Sequence, residues 1–379
     1  MGNHLKKNKK DKKKEEKKDK EKPNKKTDIF EALKKKYPDA IIIEDLISSD
    51  KIKLNLLNKR NHSTEKDPIE EIMVHPKFKN SFIIASKSGK IKLYSLTEIE
   101  LNKGNFKETL LYEAKERIYS MILLKKNNNN IAIGLSDKIL ILSLNDEEGD
   151  RLVMESELEN YKNSLEDVKL LELENSNIIS AGESFIYWIN TNGQYNKDED
   201  VILNKKGTRF INLVEFSEFN TIFATQEKTH EIYFMKYDKE KITLIKIIED
   251  CSSIWYKGSA QKLSDYFMIM VGKFGLNVLD GENGEVCNNY PGIDKGTLLN
   301  LTQSKIDDNN IWIITDFNGK YFEFYQQEGN DLVFIDKIEL EGESEIKWNN
   351  KLVRINNECF VAANQNGDIF VFSVNINNI

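Results

Sequence analysis

The feature that most restricts this chain is a spacing. SGKIKLYSL, beginning at Ser88, and NGDIFVFSV, beginning at Asn366, share one grammar: a glycine-bearing turn, then a short apolar run. The pattern recurs as DKILILSL from Asp137, ESFIYWIN from Glu183, HEIYFMK from His230, KFGLNVLD from Lys273 and NGKYFEFY from Asn318. Anchoring each copy on the first apolar residue after its turn gives Ile91, Ile139, Phe185, Ile232, Leu276 (past Gly275), Tyr321 and Ile369, at intervals of 44 to 48 residues. Three residues past each anchor stands another large apolar residue: Tyr94, Leu142, Trp188, Met235, Leu279, Phe324 and Phe372. A period of this length marks supersecondary units that bury their apolar faces only against one another.

Each unit contains more than the anchored run. Just upstream lie SFIIAS from Ser81, NIAIGL from Asn130, NIISAG from Asn177, TIFATQ from Thr221, YFMIMV from Tyr266, IWIITD from Ile311 and CFVAAN from Cys359. These runs are short, rich in Ile, Phe and Val, and bounded by polar turn residues, so they read as buried strands. A further run precedes most of them (IEEIMVH from Ile69, IYSMILL from Ile118, FINLVEF from Phe210), and a weaker one follows the anchor (KITLIKI from Lys241, DLVFIDKI from Asp331). Four antiparallel strands per unit and seven units predict an all-β fold, a seven-bladed β-propeller. The seventh unit has room for three strands only. Residues 51–57 (KIKLNLL) are expected to add the fourth, which removes two free sheet edges. The division that follows is a disordered lysine-rich tail over 1–26, a short helix and the closing strand over 27–66, and the propeller over 67–379. The helix is expected at residues 28–36, with Asp28 as N-cap and Glu31 at the capping-box position.

Some copies also carry family features. LDGENGEV, from Leu279, resembles the strand end and hairpin of a WD repeat, with Leu279-Asp280 at the Trp-Asp position and Asn283-Gly284 in the turn. VHPKFKNSFIIASKSGKIKLYSL, from Val74, is similar to the inner half of a degenerate WD repeat. At the Asp position of the seven copies stand Ser95, Ser143, Ile189, Lys236, Asp280, Tyr325 and Ser373, and Trp188 is the sole Trp at the Trp position. No Gly-His dipeptide occurs, so the His–Asp bonds of well-formed WD repeats are not expected. Within that family, His75-Pro76, LSDKILILSLNDEEG from Leu135 and LEDVKLLELENSNIISAG from Leu165 resemble nucleolar ribosome-assembly factors. The resemblance implies a protein-binding scaffold of the nucleus or nucleolus, and otherwise of the cytoplasm.

Charge is segregated. Residues 1–26 hold 13 lysines against five acidic residues, although the whole chain has a net charge of −7. From Lys6 to Lys26 the tail lacks large apolar residues and cannot fold alone. Lys6, Lys7, Lys9, Lys10, Lys12, Lys13 and Lys14 are the candidate contacts to RNA or to an import receptor. A second reading starts at Met1-Gly2: acylation of Gly2 beside the polybasic run would anchor a cytosolic adaptor to a membrane, although Lys6 stands where that motif wants Ser or Thr. No apolar run is long enough to span a bilayer and the N-terminal stretch has no apolar h-region, so neither a membrane span nor a secretory signal is expected.

Other chemistry is sparse. Cys251, Cys287 and Cys359 are far apart and read as small buried hydrophobes, not as a disulfide framework or zinc site. His75 reads as a turn or blade-edge residue, His4 and His62 lie in polar stretches, and His230 at a hairpin. Residues 145–150 (NDEEGD) and 197–200 (KDED) read as solvated loops, not calcium sites. No nucleophile elbow, phosphate loop or dinucleotide fingerprint occurs. Neither a catalytic residue, nor a metal, nor a cofactor, nor a small-molecule substrate is therefore expected.

Overall fold

The computed structural model describes residues 52–61, 66–96, 107–125, 130–144, 151–159, 168–182, 184–197, 202–203, 209–226, 231–248, 260–272, 275–291, 298–306, 309–316, 321–339, 348–364 and 366–376. All belong to the compact unit Ile43–Ile379. Among them every regular element is a strand, and the strands form seven antiparallel sheets. Blade 1 comprises Ile69–Val74, Ser81–Ser86, Lys90–Ser95 and Lys107–Glu113, from inner to outer strand. Blade 2 comprises Ser120–Leu123, Asn130–Gly134, Lys138–Leu144 and Leu152–Glu159, and blade 3 Lys169–Glu172, Ile178–Ala181, Ser184–Thr191 and Gln194–Lys197. Blade 4 comprises Phe210–Phe216, Thr221–Gln226, Ile232–Tyr237 and Ile242–Ile248, and blade 5 Ala260–Lys262, Phe267–Gly272, Gly275–Asp280 and Val286–Pro291. Blade 6 comprises Leu298–Ile306, Asn309–Asp316, Tyr321–Glu328 and Asp331–Glu339. Blade 7 takes Trp348–Arg354, Cys359–Asn364 and Asp368–Ile376 from the end of the chain and Ile52–Asn61 from its beginning.

Why the second and third strands read as continuous apolar runs follows from their place in the ring. Each is buried on both faces, so both phases of the two-residue period must be apolar. In Ser81–Ser86, for example, Phe82 and Ile84 face the seam with blade 7, whereas Ile83 and Ala85 face the seam with blade 2. Seven apolar clusters result among the described residues, one at each seam, including that between blades 7 and 1. The same alternation explains the anchor and its partner three residues later, since an odd separation points them into opposite seams. Ile139 faces blade 3 and Leu142 blade 1; Phe185 faces blade 4 and Trp188 blade 2.

Blade 6 corrects the repeat register by one residue. Tyr321 packs against blade 5 and Phe324 against blade 7, the reverse of the equivalent pairs in blades 1 to 4 and 7. The equivalent positions are Phe322, in the seam with blade 7, and Tyr325, in the seam with blade 5. Gln326, not Tyr325, then occupies the Asp position.

The closing strand is present and longer than expected. Ile52–Asn61 pairs antiparallel with Asp368–Ile376, from Ile52 opposite Ile376 to Asn61 opposite Asp368. Its polar end is held from outside the strand: the Lys59 ammonium lies 5.3 Å from the centre of the Phe370 ring, and Arg60 reaches Glu108 of blade 1 at 2.7 Å. On the same seam Asn356 donates to the Asn80 side chain at 2.8 Å. Gly367, at φ +85°, turns the last hairpin so close to blade 1 that a Cβ there would stand 2.5 Å from the Asp67 carbonyl oxygen. Only glycine fits both the left-handed conformation and that approach.

Two further departures are local. In blade 3 two described segments pair with the outer edge of the third strand: Gln194–Lys197 with its Thr191 end, and Ile202–Leu203 with its Ser184 end. Asp198, Glu199 and Asp200, which stand between these two segments in the sequence, lie outside the described residues. Cys287 is exposed, contrary to the expectation that all three cysteines are buried. Pairing shifts at this point, with Leu279 opposite Val286 and Val278 opposite Asn288, so Cys287 is the extra residue of a β-bulge on an outer strand. Cys359 is buried as expected, and Cys251 lies outside the described residues.

Candidate interaction surfaces

Three regions carry the features from which binding is built: the inner strands of blades 1 to 4, a cleft between blades 2 and 3, and the outer strands of the rim.

The inner strands are laced by carboxylates satisfied from neighbouring blades. Glu70 of blade 1 accepts two hydrogen bonds from Arg117, at 2.7 and 3.1 Å, and Arg117 stacks over Tyr119. Buried Glu71 reaches past blade 2 to Lys169 of blade 3, at 3.2 Å. The Ser120 hydroxyl accepts from the Leu170 amide at 3.2 Å, and the Glu172 carboxylate accepts the Lys125 amide. Buried Glu215 of blade 4 accepts from Lys125 Nζ at 2.8 Å, the Glu174 amide at 2.6 Å and the Tyr237 hydroxyl at 2.7 Å. Burial, and then this bond to Glu215, raise the Tyr237 pKa well above the usual phenol value. Lys125 thus joins three blades, with its amide on one buried carboxylate and its ammonium on another. These pairs fix the relative positions of the blades, because removing one partner would strand a buried charge.

The cleft, of about 400 Å³, opens where the outer strand of blade 2 faces the third-to-outer hairpin of blade 3. Leu124 and Ile141 supply its apolar lining; both are buried. Asn130, Glu155, Ser156, Glu172, Asn190, Asn192, Gly193 and Tyr195 complete it. Glu172 is only 3% exposed, whereas Glu155 is open to solvent. The hairpin is tight because Asn192 and Gly193 both adopt positive φ, the requirement of a two-residue β-turn. Asn190 is fixed on it by three bonds: its amide to Asn177 Oδ1, its Nδ2 to the Ser176 carbonyl, and the Gly193 amide to its Oδ1. Burial and the Glu172 carboxylate raise the Tyr195 pKa, and a hydrogen bond with Asn190 opposes them.

The rim exposes apolar side chains on outer strands. Leu110 in blade 1, Val153 and Met154 in blade 2, Leu244, Ile245 and Ile247 in blade 4, Val286 in blade 5, and Val333 and Phe334 in blade 6 all face solvent, Met154 being 52% exposed.

His75 closes the first turn of blade 1, as its position beside Pro76 predicts. Its Nδ1 accepts the Lys77 and Phe78 amides at 3.1 and 3.0 Å, and its ring stacks on Phe78. Burial, with a smaller contribution from Lys77, lowers its pKa to about 4. Asp280, the one Asp at the family position, caps its hairpin: Oδ1 accepts the Glu282 and Asn283 amides, and Gly284 has φ +71°. Lys6, Lys7, Lys9, Lys10, Lys12, Lys13, Lys14 and Gly2 lie outside the described residues, as do His4, His62, His230, the expected helix at 28–36 and the run 145–150.

Sequence reading missed the cleft. Its residues stretch from Leu124 to Tyr195 and belong to two repeats, and only Asn192-Gly193 carries a local signal, that of a hairpin. The ring is consistent with a fold of the WD-repeat type. No protein-family model matches the chain, and no curated protein matches it.

Proposed function

We propose that this protein is a non-enzymatic scaffold that binds other proteins on its rim. The finer reading is a role in nuclear or nucleolar ribosome assembly, with RNA or an import receptor engaged by Lys6, Lys7, Lys9, Lys10, Lys12, Lys13 and Lys14. The observation that carries the scaffold reading is the rim itself. Apolar side chains stand exposed on the outer strands of five blades, as at Met154, Ile245 and Phe334, and apolar side chains held in solvent are there to be buried by a partner. Propellers are commonly interaction scaffolds, and the resemblance of His75-Pro76 and the blade 2 and 3 sequences to nucleolar WD-repeat factors supports the finer reading.

Affinity capture with mass spectrometry tests it, using the full chain and a variant carrying Met154→Lys and Ile245→Lys. These side chains make the rim apolar without filling a seam. The expected result is a defined set of proteins, enriched in ribosome-assembly factors, that the variant loses. A wild-type chain that captures nothing specific sinks the scaffold reading. A set drawn from membrane complexes, together with release from the membrane fraction on Gly2→Ala, favours the acylated adaptor instead.

A further inference from the structure

We infer that the cleft between blades 2 and 3 receives an arginine side chain presented by a partner protein. The inference rests on the reading that the propeller surface binds proteins, and adds the chemistry of one contact.

The lining sorts into two parts that match the two parts of such a side chain. Leu124 and Ile141 offer an apolar wall for a methylene stem. Around them stand only neutral or acidic polar side chains: the carboxylates of Glu155 and Glu172, the carboxamides of Asn130, Asn190 and Asn192, and the hydroxyls of Ser156 and Tyr195. Among the described residues no lysine or arginine lines the cleft. The cation nearest in sequence, Lys125, directs its ammonium away to Glu215 of blade 4.

A guanidinium has five donors and no acceptor, so it suits acceptors spread over two walls better than the compact ammonium of lysine. Charge-assisted bonds to the carboxylates would be roughly twice as strong as neutral ones. A bare metal ion fits less well, since no group of three His, Cys, Asp or Glu among the described residues is placed to hold one. The cleft's size lies within the roughly 300–1,000 Å³ of small-ligand sites.

The test uses the full chain and the pentapeptide acetyl-Gly-Gly-Arg-Gly-Gly-amide, with citrulline and lysine versions, in ligand-observed NMR titrations at physiological salt. Citrulline keeps the shape of arginine and removes its charge. The arginine peptide should bind at least tenfold more tightly than the citrulline peptide and more tightly than the lysine peptide. Glu155→Gln and Tyr195→Phe should each weaken arginine binding about fivefold, whereas Glu282→Gln, on an exposed turn of blade 5, should not. Equal binding of arginine and citrulline, no binding, or equal loss in the Glu282 variant would overturn the inference; the last outcome would mean that the peptide senses net charge alone. Rim-dependent capture that survives such a result leaves the scaffold reading intact, whereas failed capture by the wild-type chain removes that reading whatever the peptide does.

Discussion

Trp188→Ala tests the seam between blades 2 and 3. The indole is 3% exposed and packs among Ile139, Ile141, Val168, Ile178 and Ile186, while its Nε1 donates to the buried Ser180 hydroxyl at 2.9 Å. Truncation removes a large core side chain, which costs about 3–5 kcal/mol. Trp188→Phe keeps most of the ring and deprives Ser180 of its donor, a loss of about 1–2 kcal/mol. Unfolding entropy near the midpoint is about 2.1 cal/mol/K per residue, so a propeller of about 330 residues shifts by roughly 1.4 °C per kcal/mol. The predicted drop in Tm is therefore about 4–7 °C for Trp188→Ala and about 1–3 °C for Trp188→Phe. Far-UV circular dichroism melts are the assay, because indole fluorescence changes with the substitution itself. A Tm for Trp188→Ala within 1 °C of wild type would refute the packing argument.

Three other expectations follow from particular residues. Gly367→Ala meets both a left-handed backbone, worth about 1–2 kcal/mol, and the Asp67 carbonyl. It should lower Tm more than Gly329→Ala, where φ is +64° but nothing stands within 4 Å; equal shifts would contradict the close approach. His75, with a folded pKa of about 4 against 6.5 unfolded, stays neutral while the unfolded chain takes up a proton. Stability should thus fall as pH drops from 6.5 toward 4, and His75→Asn should flatten the upper part of that decline in melts between pH 6.5 and 5; an unchanged slope would contradict it. Any RNA binding should map to residues 6–26 and weaken with salt, at a logarithmic slope of about −0.7 per phosphate contact. Filter binding at two salt concentrations checks this, and equal RNA binding by residues 27–379 would contradict it.

The architecture was legible because a propeller repeats one packing problem seven times. Blade 6 was misread by one residue because Tyr321 and Phe322 are both large and apolar, and only the seam each enters tells them apart. The closing strand outran its apolar stretch because Lys59 and Arg60 are held by Phe370 and Glu108, more than 40 residues away in sequence. Cys287 was misplaced because it sits on an outer strand that leaves Val286 and Cys287 alike exposed, a position that composition does not mark. The carboxylate links escaped notice for a similar reason. Glu71 and Lys169, or Lys125 and Glu215, are ordinary surface residue types until the ring brings their blades together.

The most direct test of the account is to remove the strand that closes the ring, since every proposed surface depends on that closure. Residues 52–379 should remain monodisperse in sedimentation velocity and melt as the full chain does. Residues 62–379 lack Ile52–Asn61, which exposes the edge of Asp368–Ile376 and takes Ile52 and Leu54 out of the blade 6–7 seam, uncovering the Phe370, Phe372 and Val374 side chains of that cluster. That chain should aggregate or lose cooperative melting. A monodisperse 62–379 chain with the Tm of the full protein would contradict closure by the first strand.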